Sequence, residues 1–244
     1  MPESVEGALE RLVGDLGPPG THLAVPCDVS SRDALAALVG RVEEGLGPID
    51  VLVNNAGIEE AAAYQELDAD AIDRFLAVNL GAPMHLTRLV LPGMLARNRG
   101  HVVNIASLAG LSATAFGEPY AATKHGLVGF TKSLRASLQT TGSAVSASAI
   151  CPGFVSEVGM YDQMRKDGSA ASPALLGTVT PEAVAQAMLR AIQRDLPDVI
   201  VNAGPMRITF ALQMLFPRLG EWVGHRSGAH GVFRTAAEQR GRLG

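Results

Sequence analysis

Apolar residues in this chain follow two alternating rhythms, one helical and one of short unbroken runs. Residues 3–15 carry Val5, Leu9, Leu12 and Val13 on one side, the pattern of an amphipathic helix. Gly17-Pro18-Pro19-Gly20 stops it. A short strand is expected over 21–26, leading into Cys27-Asp28-Val29. Ser30, with Asp33 three residues on, is placed to cap a helix over about 31–46, which turns Leu35, Leu38, Val39 and Val42 inward and ends at Gly47-Pro48. Residues 49–53 form a near-continuous apolar run bounded by turn residues, as a strand buried on both faces should, and they lead into Asn54-Asn55-Ala56-Gly57. Helical patterns follow at about 68–78 and 79–98, then an apolar strand at 101–106. A helix begins at Tyr120 with Leu127, Phe130, Leu134 and Leu138 on its buried face. A strand at 145–150 is broken by Cys151-Pro152-Gly153. Residues 154–180 read as a long loop rich in Gly, Ser and Pro, the mark of a functional lid or of disorder. Thr180-Pro181 supplies a helix cap and a first-turn proline, 198–201 is the last strand, and a mostly helical tail closes the chain.

Strands alternating with helices predict an α/β fold: a doubly wound, mostly parallel, Rossmann-like sheet with helices on both faces. At 244 residues a single domain over 1–244 is the simplest division, with a substrate lid at about 154–180 and a helical tail at about 205–244. The tail run Ile208 to Phe216 is apolar enough to line a pocket, a subunit interface or a membrane surface; core or interface packing is the simplest expectation, and the run is too short to cross a bilayer. No apolar stretch anywhere reaches 18 residues, so no membrane span is expected, and the N-terminus lacks an apolar signal core. Net charge is −4 with no basic cluster, which argues against nucleic acid as a partner. The two cysteines, Cys27 and Cys151, fit no metal-ligand spacing; no metal site and a cytoplasmic, reducing location are expected.

Ligands of such sheets bind outside the carboxyl ends of the strands. Asp28, Asn54 to Gly57, Ser107 and Pro152 to Val155 all fall there. Tyr120 and Lys124 are four apart, so a helix puts them on one face, one turn apart. A phenol ordinarily titrates at ~10, and a fixed positive charge nearby is expected to lower it, making a usable general acid and base. Taken alone, Tyr-x-x-x-Lys is usually a surface pair and Asp28 a helix-capping acid; four polar or glycine-bearing motifs at four strand ends are harder to explain as packing. Asn79 has a separate argument. Pro83, four residues on, has no N–H to offer the Asn79 carbonyl, which leaves that oxygen available to a water. A proline merely tolerated near a helix start is the bland alternative. Cys151 reads as a small buried hydrophobe, and His125 points to a different helix face from Tyr120.

Together these residues resemble the short-chain dehydrogenase/reductase family. The resemblance rests on Cys27-Asp28-Val29, NNAG at 54–57, Asn79 in AVNLG, Ser107 in NIASLAG, YAATK at 120–124 and CPGFV at 151–155, in the family's order, and covers residues from about 3 to 205. It implies a catalytic set of Asn79, Ser107, Tyr120 and Lys124. Tyr120 would exchange a proton with the substrate oxygen, Lys124 would depress its pKa and bind the nicotinamide ribose, Ser107 would hydrogen-bond the reacting carbonyl, and Asn79 would hold a relay water. It implies NAD or NADP as cofactor, with Asp28 and Val29 at the adenine, Asn55, Ala56 and Gly57 by the adenosine ribose, and Val155 by the nicotinamide amide. It implies a small-molecule alcohol or ketone substrate, apolar in character, and a homodimer or homotetramer.

The chain departs from the family at its front. The family's opening strand, its Thr-Gly-x-x-x-Gly-x-Gly turn, which sets a helix N-terminus against the pyrophosphate, and the helix and strand that follow have no counterpart here. In the family's strand order, 3-2-1-4-5-6-7, this N-terminal truncation removes the two strands between the 21–26 strand and the Val51 strand. The 21–26 strand must then pair elsewhere or hang loose, and the Val51 strand is expected to show an apolar edge. Either the native chain starts earlier or a shortened protein exists. Ser156 could replace the family's threonine near 157, where Glu157 is an odd neighbour for a nucleotide. Two functions follow: an NAD(P)-dependent oxidoreductase interconverting a secondary alcohol and a ketone, or a truncated, non-enzymatic relative with weak or no dinucleotide binding.

Overall fold

Four apolar runs lie side by side as one parallel sheet in the computed structural model, which describes residues 5–16, 21–174, 176–226 and 228–243. The strands are β1 (Val51–Asn54), β2 (His101–Ile105), β3 (Ser146–Pro152) and β4 (Asp198–Val201), paired in that order. Parallel neighbours require crossover connections, and helices supply them. In chain order the helices are α1 (Val5–Leu16), α2 (Arg32–Leu46), α3 (Ala69–Leu76), α4 (Ala82–Ala96), α5 (Glu118–Thr140), α6 (Gly159–Lys166), α7 (Pro181–Arg194), α8 (Met206–Leu215), α9 (Pro217–Arg226) and α10 (Ala229–Leu243).

Side-chain alternation along the strands divides the core between two layers. Val102 and Ala147 pack against Val39 of α2, Val90 and Met94 of α4 and Leu138 of α5. Val103, Ile105 and Ile150 face the other way, onto Ala187 and Ala191 of α7. The doubly wound arrangement expected from the sequence is therefore present. It thins at one side. Val51 and Val53 share a face with Val103, but α7 lies over β2, β3 and β4 and not over β1. They stay 43% and 42% exposed on an edge strand.

Several sequence expectations change. Residues 21–26 form no strand, because a strand needs a ladder partner and the free edge of β1 does not serve as one. The cap of α2 is Ser31, whose hydroxyl accepts from the Ala34 N–H at 3.3 Å; Ser30 is engaged with Asp28 instead. β3 does not break at Cys151 but runs through Pro152, opposite Val201, because the missing proline N–H falls at the strand's last residue. The 154–180 loop contains α6, held by an Asp162–Lys166 pair at 2.7 Å, and its ends meet in a bridge between Val155 and Val179. Of the tail run 208–216 only Phe210 is buried, so core packing does not account for it. Thr180 caps α7 as expected. The first helix is seen as α1, while its residues 3 and 4 and the Gly-Pro-Pro-Gly stop at 17–20 lie outside the described residues.

At the amino ends of the strands, Arg135 of α5 reaches past β3 to the residue that ends α7. It donates to the Asp195 carboxylate at 2.6 and 2.7 Å, the Asp195 carbonyl at 2.8 Å and the Ser146 hydroxyl at 2.6 Å. The Arg135 bond holds the Asp195 carboxyl below its usual range. A depressed carboxyl pKa adds stability above the unfolded value of ~3.9 and loses it as pH falls through the folded value. Asp195→Asn is therefore expected to lower stability at neutral pH by about 1 kcal/mol, since one side of the pair is exposed to solvent. Urea midpoints at pH 7 and pH 3 check this: the gap between the two proteins should shrink at the lower pH.

Candidate active site

The carboxyl end of β2 runs straight into the first candidate residues. After Ile105 the chain passes Ala106 and Ser107, whose hydroxyl accepts from the Ala109 N–H at 3.1 Å and caps a short turn over Leu108–Gly110. Gly110 lets α5 press against that turn: a Cβ there would meet the Lys124 carbonyl oxygen at 2.7 Å. α5 buries Tyr120 and leaves Lys124 only 3% exposed. The Lys124 ammonium donates to the Ile105 carbonyl at 2.8 Å and lies 5.7 Å from the centre of the Tyr120 ring. Deeper along the interface, Asn54 donates to Asn104 at 2.8 Å and Asn104 to the Thr131 hydroxyl at 2.8 Å, which joins β1, β2 and α5 through polar groups that are all buried.

Burial governs the titration of this pair. Desolvation pushes the Tyr120 phenol up to about 12; a hydrogen bond with Ser107 pulls the other way, and Glu59 and Cys151 add to the rise. Desolvation brings the Lys124 ammonium down to about 8. The lowering of the phenol expected from its ammonium neighbour does not appear: loss of water sets the direction of both shifts. Burial also pushes the Cys151 thiol up to about 12, the behaviour of an inert core residue.

Asn79 sits in a wide turn at Ala77–Gly81 between α3 and α4, where the Ala82 N–H reaches back to the Ala77 carbonyl. Pro83 follows directly, in keeping with the missing donor read from the sequence. The Asn79 side chain is fully engaged. It accepts from the Ile58 N–H and donates to the Ile58 carbonyl, each at 2.8 Å, and reaches the Thr123 hydroxyl at 3.3 Å. It thereby fixes the end of the NNAG turn. Gly57 packs closely there: a Cβ would lie 3.2 Å from Asn79 Oδ1 and 3.6 Å from Lys124 Nζ.

A cavity of about 2080 Å³ opens at the carboxyl ends of the strands. Asn55, Ala56, Gly57, Ser107, Tyr120, Lys124 and Val155 all line it, so most of the residues singled out from the sequence share one space. Asp28 and Val29 are not among its lining; Asp28 accepts from the Ser30 N–H at 2.9 Å and hydroxyl at 2.7 Å in a local turn. Asn79 lies behind Gly57, away from the lining. Ser156 turns its hydroxyl to the Val179 carbonyl at 3.3 Å and Glu157 is exposed, so neither lines the cavity.

Sequence reasoning missed Glu59. It lines the cavity beside Tyr120, and its Oε1 is buried with no hydrogen-bond partner among the described residues. The available signal was its place two residues after the NNAG turn at a strand end. Burial, and secondarily the neighbouring Glu60, push its carboxyl up to about 7, against an opposing pull from Arg240.

These residues fit one half of a nicotinamide dinucleotide. The buried Lys124 ammonium carries three N–H donors, has Ile105 as its hydrogen-bond partner, and lines the cavity, so donors remain for a ribose hydroxyl. Among the described residues the cavity wall offers no glycine-rich phosphate turn.

A model of the family described as short chain dehydrogenase matches residues 3–169. The chain is 42% identical over 202 residues to the ketoacyl reductase HetN of Nostoc sp., covering 83% of this chain and 68% of that protein. It is 41% identical over 128 residues to a D-beta-hydroxybutyrate dehydrogenase of Cupriavidus necator, where it spans only 49% of the relative's length. Among solved structures, a short chain dehydrogenase/reductase from Burkholderia phymatum in complex with NAD superposes with a TM-score of 0.74 at 27% identity, covering 88% of this chain and 83% of that one.

Glu59 gives a stability test. A carboxyl whose pKa is raised from 4.5 to about 7 holds its proton more tightly folded than unfolded, so it costs stability as pH rises through that window. Glu59→Gln should remove the loss. Compared by denaturant unfolding, the variant should gain on wild type by on the order of 2 kcal/mol between pH 4.5 and 7.5.

Proposed function

We propose that this chain, which belongs to the short chain dehydrogenase family, is a nicotinamide-dependent oxidoreductase that interconverts a ketone and a secondary alcohol on an acyl chain. The observation that carries the reading is the meeting of Ser107, Tyr120 and Lys124 on the wall of one cavity at the strands' carboxyl ends. The names of the ketoacyl reductase and hydroxybutyrate dehydrogenase relatives support an acyl ketone as the reacting group. The cavity, about 2080 Å³, has room for a reactant beside a dinucleotide.

Asn55, Ala56, Gly57, Lys124 and Val155 would hold a dinucleotide, which would supply the hydride when bound. The chain's own residues handle the oxygen. Ser107 and Tyr120 both line the cavity, and in this reading their hydroxyls donate to the reacting carbonyl. As negative charge develops on that oxygen, it becomes a stronger base than a phenolate, and Tyr120 gives up its proton. Tyr120 carries its proton at neutral pH, the state a donor in the reductive direction needs. The Lys124 ammonium is placed to steady the phenolate that remains and to hold a ribose hydroxyl. Returning a proton to Tyr120 needs a path to solvent, and the Asn79 carbonyl, relieved of a helix donor by Pro83, can anchor a water on that path. Glu59 would oppose a charged Tyr120 when ionised and is better tolerated protonated. A homodimer or homotetramer and either NAD or NADP remain part of this reading.

Tyr120→Phe removes the proton and leaves the shape. Followed by nicotinamide absorbance with a panel of 3-oxoacyl and simple ketones, it should lower kcat by about 100-fold or more. Equal rates in the two proteins would end the assignment. A second reading is a non-enzymatic relative with weak dinucleotide binding. Titration with NADH and NADPH, read by thermal shift, separates the two: saturable binding supports the enzyme.

A further inference from the structure

The oxidoreductase reading leaves the outer surface of α8 and α9 unexplained. Ile208 and Leu215 fall at i and i+7 on one stripe of α8 and are 67% and 72% exposed, while Leu212 between them borders the cavity. Met214 is 83% exposed, and Phe216 and Trp222 extend the apolar surface onto α9. The opposite sides of the same helices are packed. Phe210 and Gly220 are buried, and a Cβ on Gly220 would meet the Gln213 side chain at 2.3 Å, so the two helices touch closely. The exposed stripe is therefore presented by a packed pair of helices.

Its charge differs from that of the rest of the chain. Residues 206–226 hold Arg207, Arg218 and Arg226 against Glu221 alone, in a protein of net charge −4. All three arginines are exposed. Arg207 is shared with Asp198 at 2.8 Å, and the Arg226 guanidinium stands 5.2 Å from the centre of the Trp222 ring. We propose that this face docks on the interfacial layer of an anionic lipid bilayer, with α8 and α9 lying in the membrane plane.

Three features favour lipid over a second copy of the chain. In a two-fold pair the patch would meet itself, and arginine rim would face arginine rim. An anionic surface attracts that rim while it repels the otherwise acidic body, which orients the molecule. Trp, with an apolar body and a polar edge, is favoured at the membrane–water boundary. A span is not at issue: α8 has 10 residues, roughly 15 Å of helix, against a hydrocarbon core of about 30 Å. Docking stands independently of the proposed chemistry. Where that chemistry also holds, Phe210 and Gln213 matter, because they line the cavity from the inner side of α8, and a lipid-borne reactant would have a short path in.

Trp222 is the chain's one tryptophan, so its fluorescence reports on this face alone. The full chain is mixed with vesicles of phosphatidylcholine plus phosphatidylglycerol, or of phosphatidylcholine alone, and co-sedimentation is measured alongside the emission maximum. Binding with a blue shift is expected on the mixed vesicles, weaker on the neutral ones and weaker at high salt. Arg218→Gln should lower the partition coefficient about fivefold. Met214→Ser with Leu215→Ser should lower it tenfold or more, with an unchanged melting temperature because both side chains are exposed. No binding to the mixed vesicles overturns the proposal, as does binding that the double variant leaves intact. A lipid-free emission shift that tracks protein concentration would assign the face to self-association instead. Ketone reduction by wild type and Tyr120→Phe, measured without lipid, tests the chemistry separately.

Discussion

One buried contact fixes the geometry of the cavity: the Lys124 ammonium on the carbonyl that ends β2. A charge so far from water is costly unless partnered, and the carbonyl of Ile105 is the partner provided. The bond ties a turn of α5 to the lip of the central sheet and sets how far Tyr120, one turn earlier, projects over it. The surrounding sequence serves the same contact. Gly110 removes the side chain that would hold α5 off, Gly57 leaves room beside the ammonium, and the Asn54–Asn104–Thr131 chain holds the helix in register on the strands. Asn54, Asn104, Gly110 and Thr131 are polar or small residues at buried places, where an aliphatic side chain would otherwise be the ordinary choice.

Buried strands and strongly amphipathic helices were legible because their signal is local. Apolar runs at β1 to β4 and the Thr180-Pro181 cap needed no knowledge of neighbours. Residues 21–26 failed for the opposite reason. Their composition suits a strand, but a strand is a relation between two segments, and composition does not say whether the second is present. Ser30 and Ser31 were confused because both can cap, and only the turn made by Asp28 decides which one is free to do so. α6 was hidden among glycines and serines in a segment too short to show a period. The apolar stretch of α8 looked like core because periodicity identifies one face without saying what covers it.

The site was legible as a set of residues and less so as chemistry. Order and spacing brought Asn55 to Gly57, Ser107, Tyr120, Lys124 and Val155 into one cavity. Spacing suggests that a phenol and an ammonium attract, but it carries no information on how much water each has lost. Here desolvation raises the phenol and lowers the ammonium, favouring the neutral form of each. Glu59 escaped notice for a related reason. A carboxylate next to a second one reads as a solvated pair, and only the closed wall around it turns Glu59 into a group at odds with its surroundings.

The Arg135–Asp195 clasp has a mechanical meaning beyond its contribution to stability. It joins the helical layers on the two sides of the sheet at one end only, the end away from the cavity. The molecule is built like a spring clip: fast at the hinge, with jaws formed by α6, α8 and α9. The clasp resists separation of the layers at its own end and gives no such resistance at the mouth. A protease cut in the segment between Val155 and Val179 would free one jaw and leave the barrel of the clip intact.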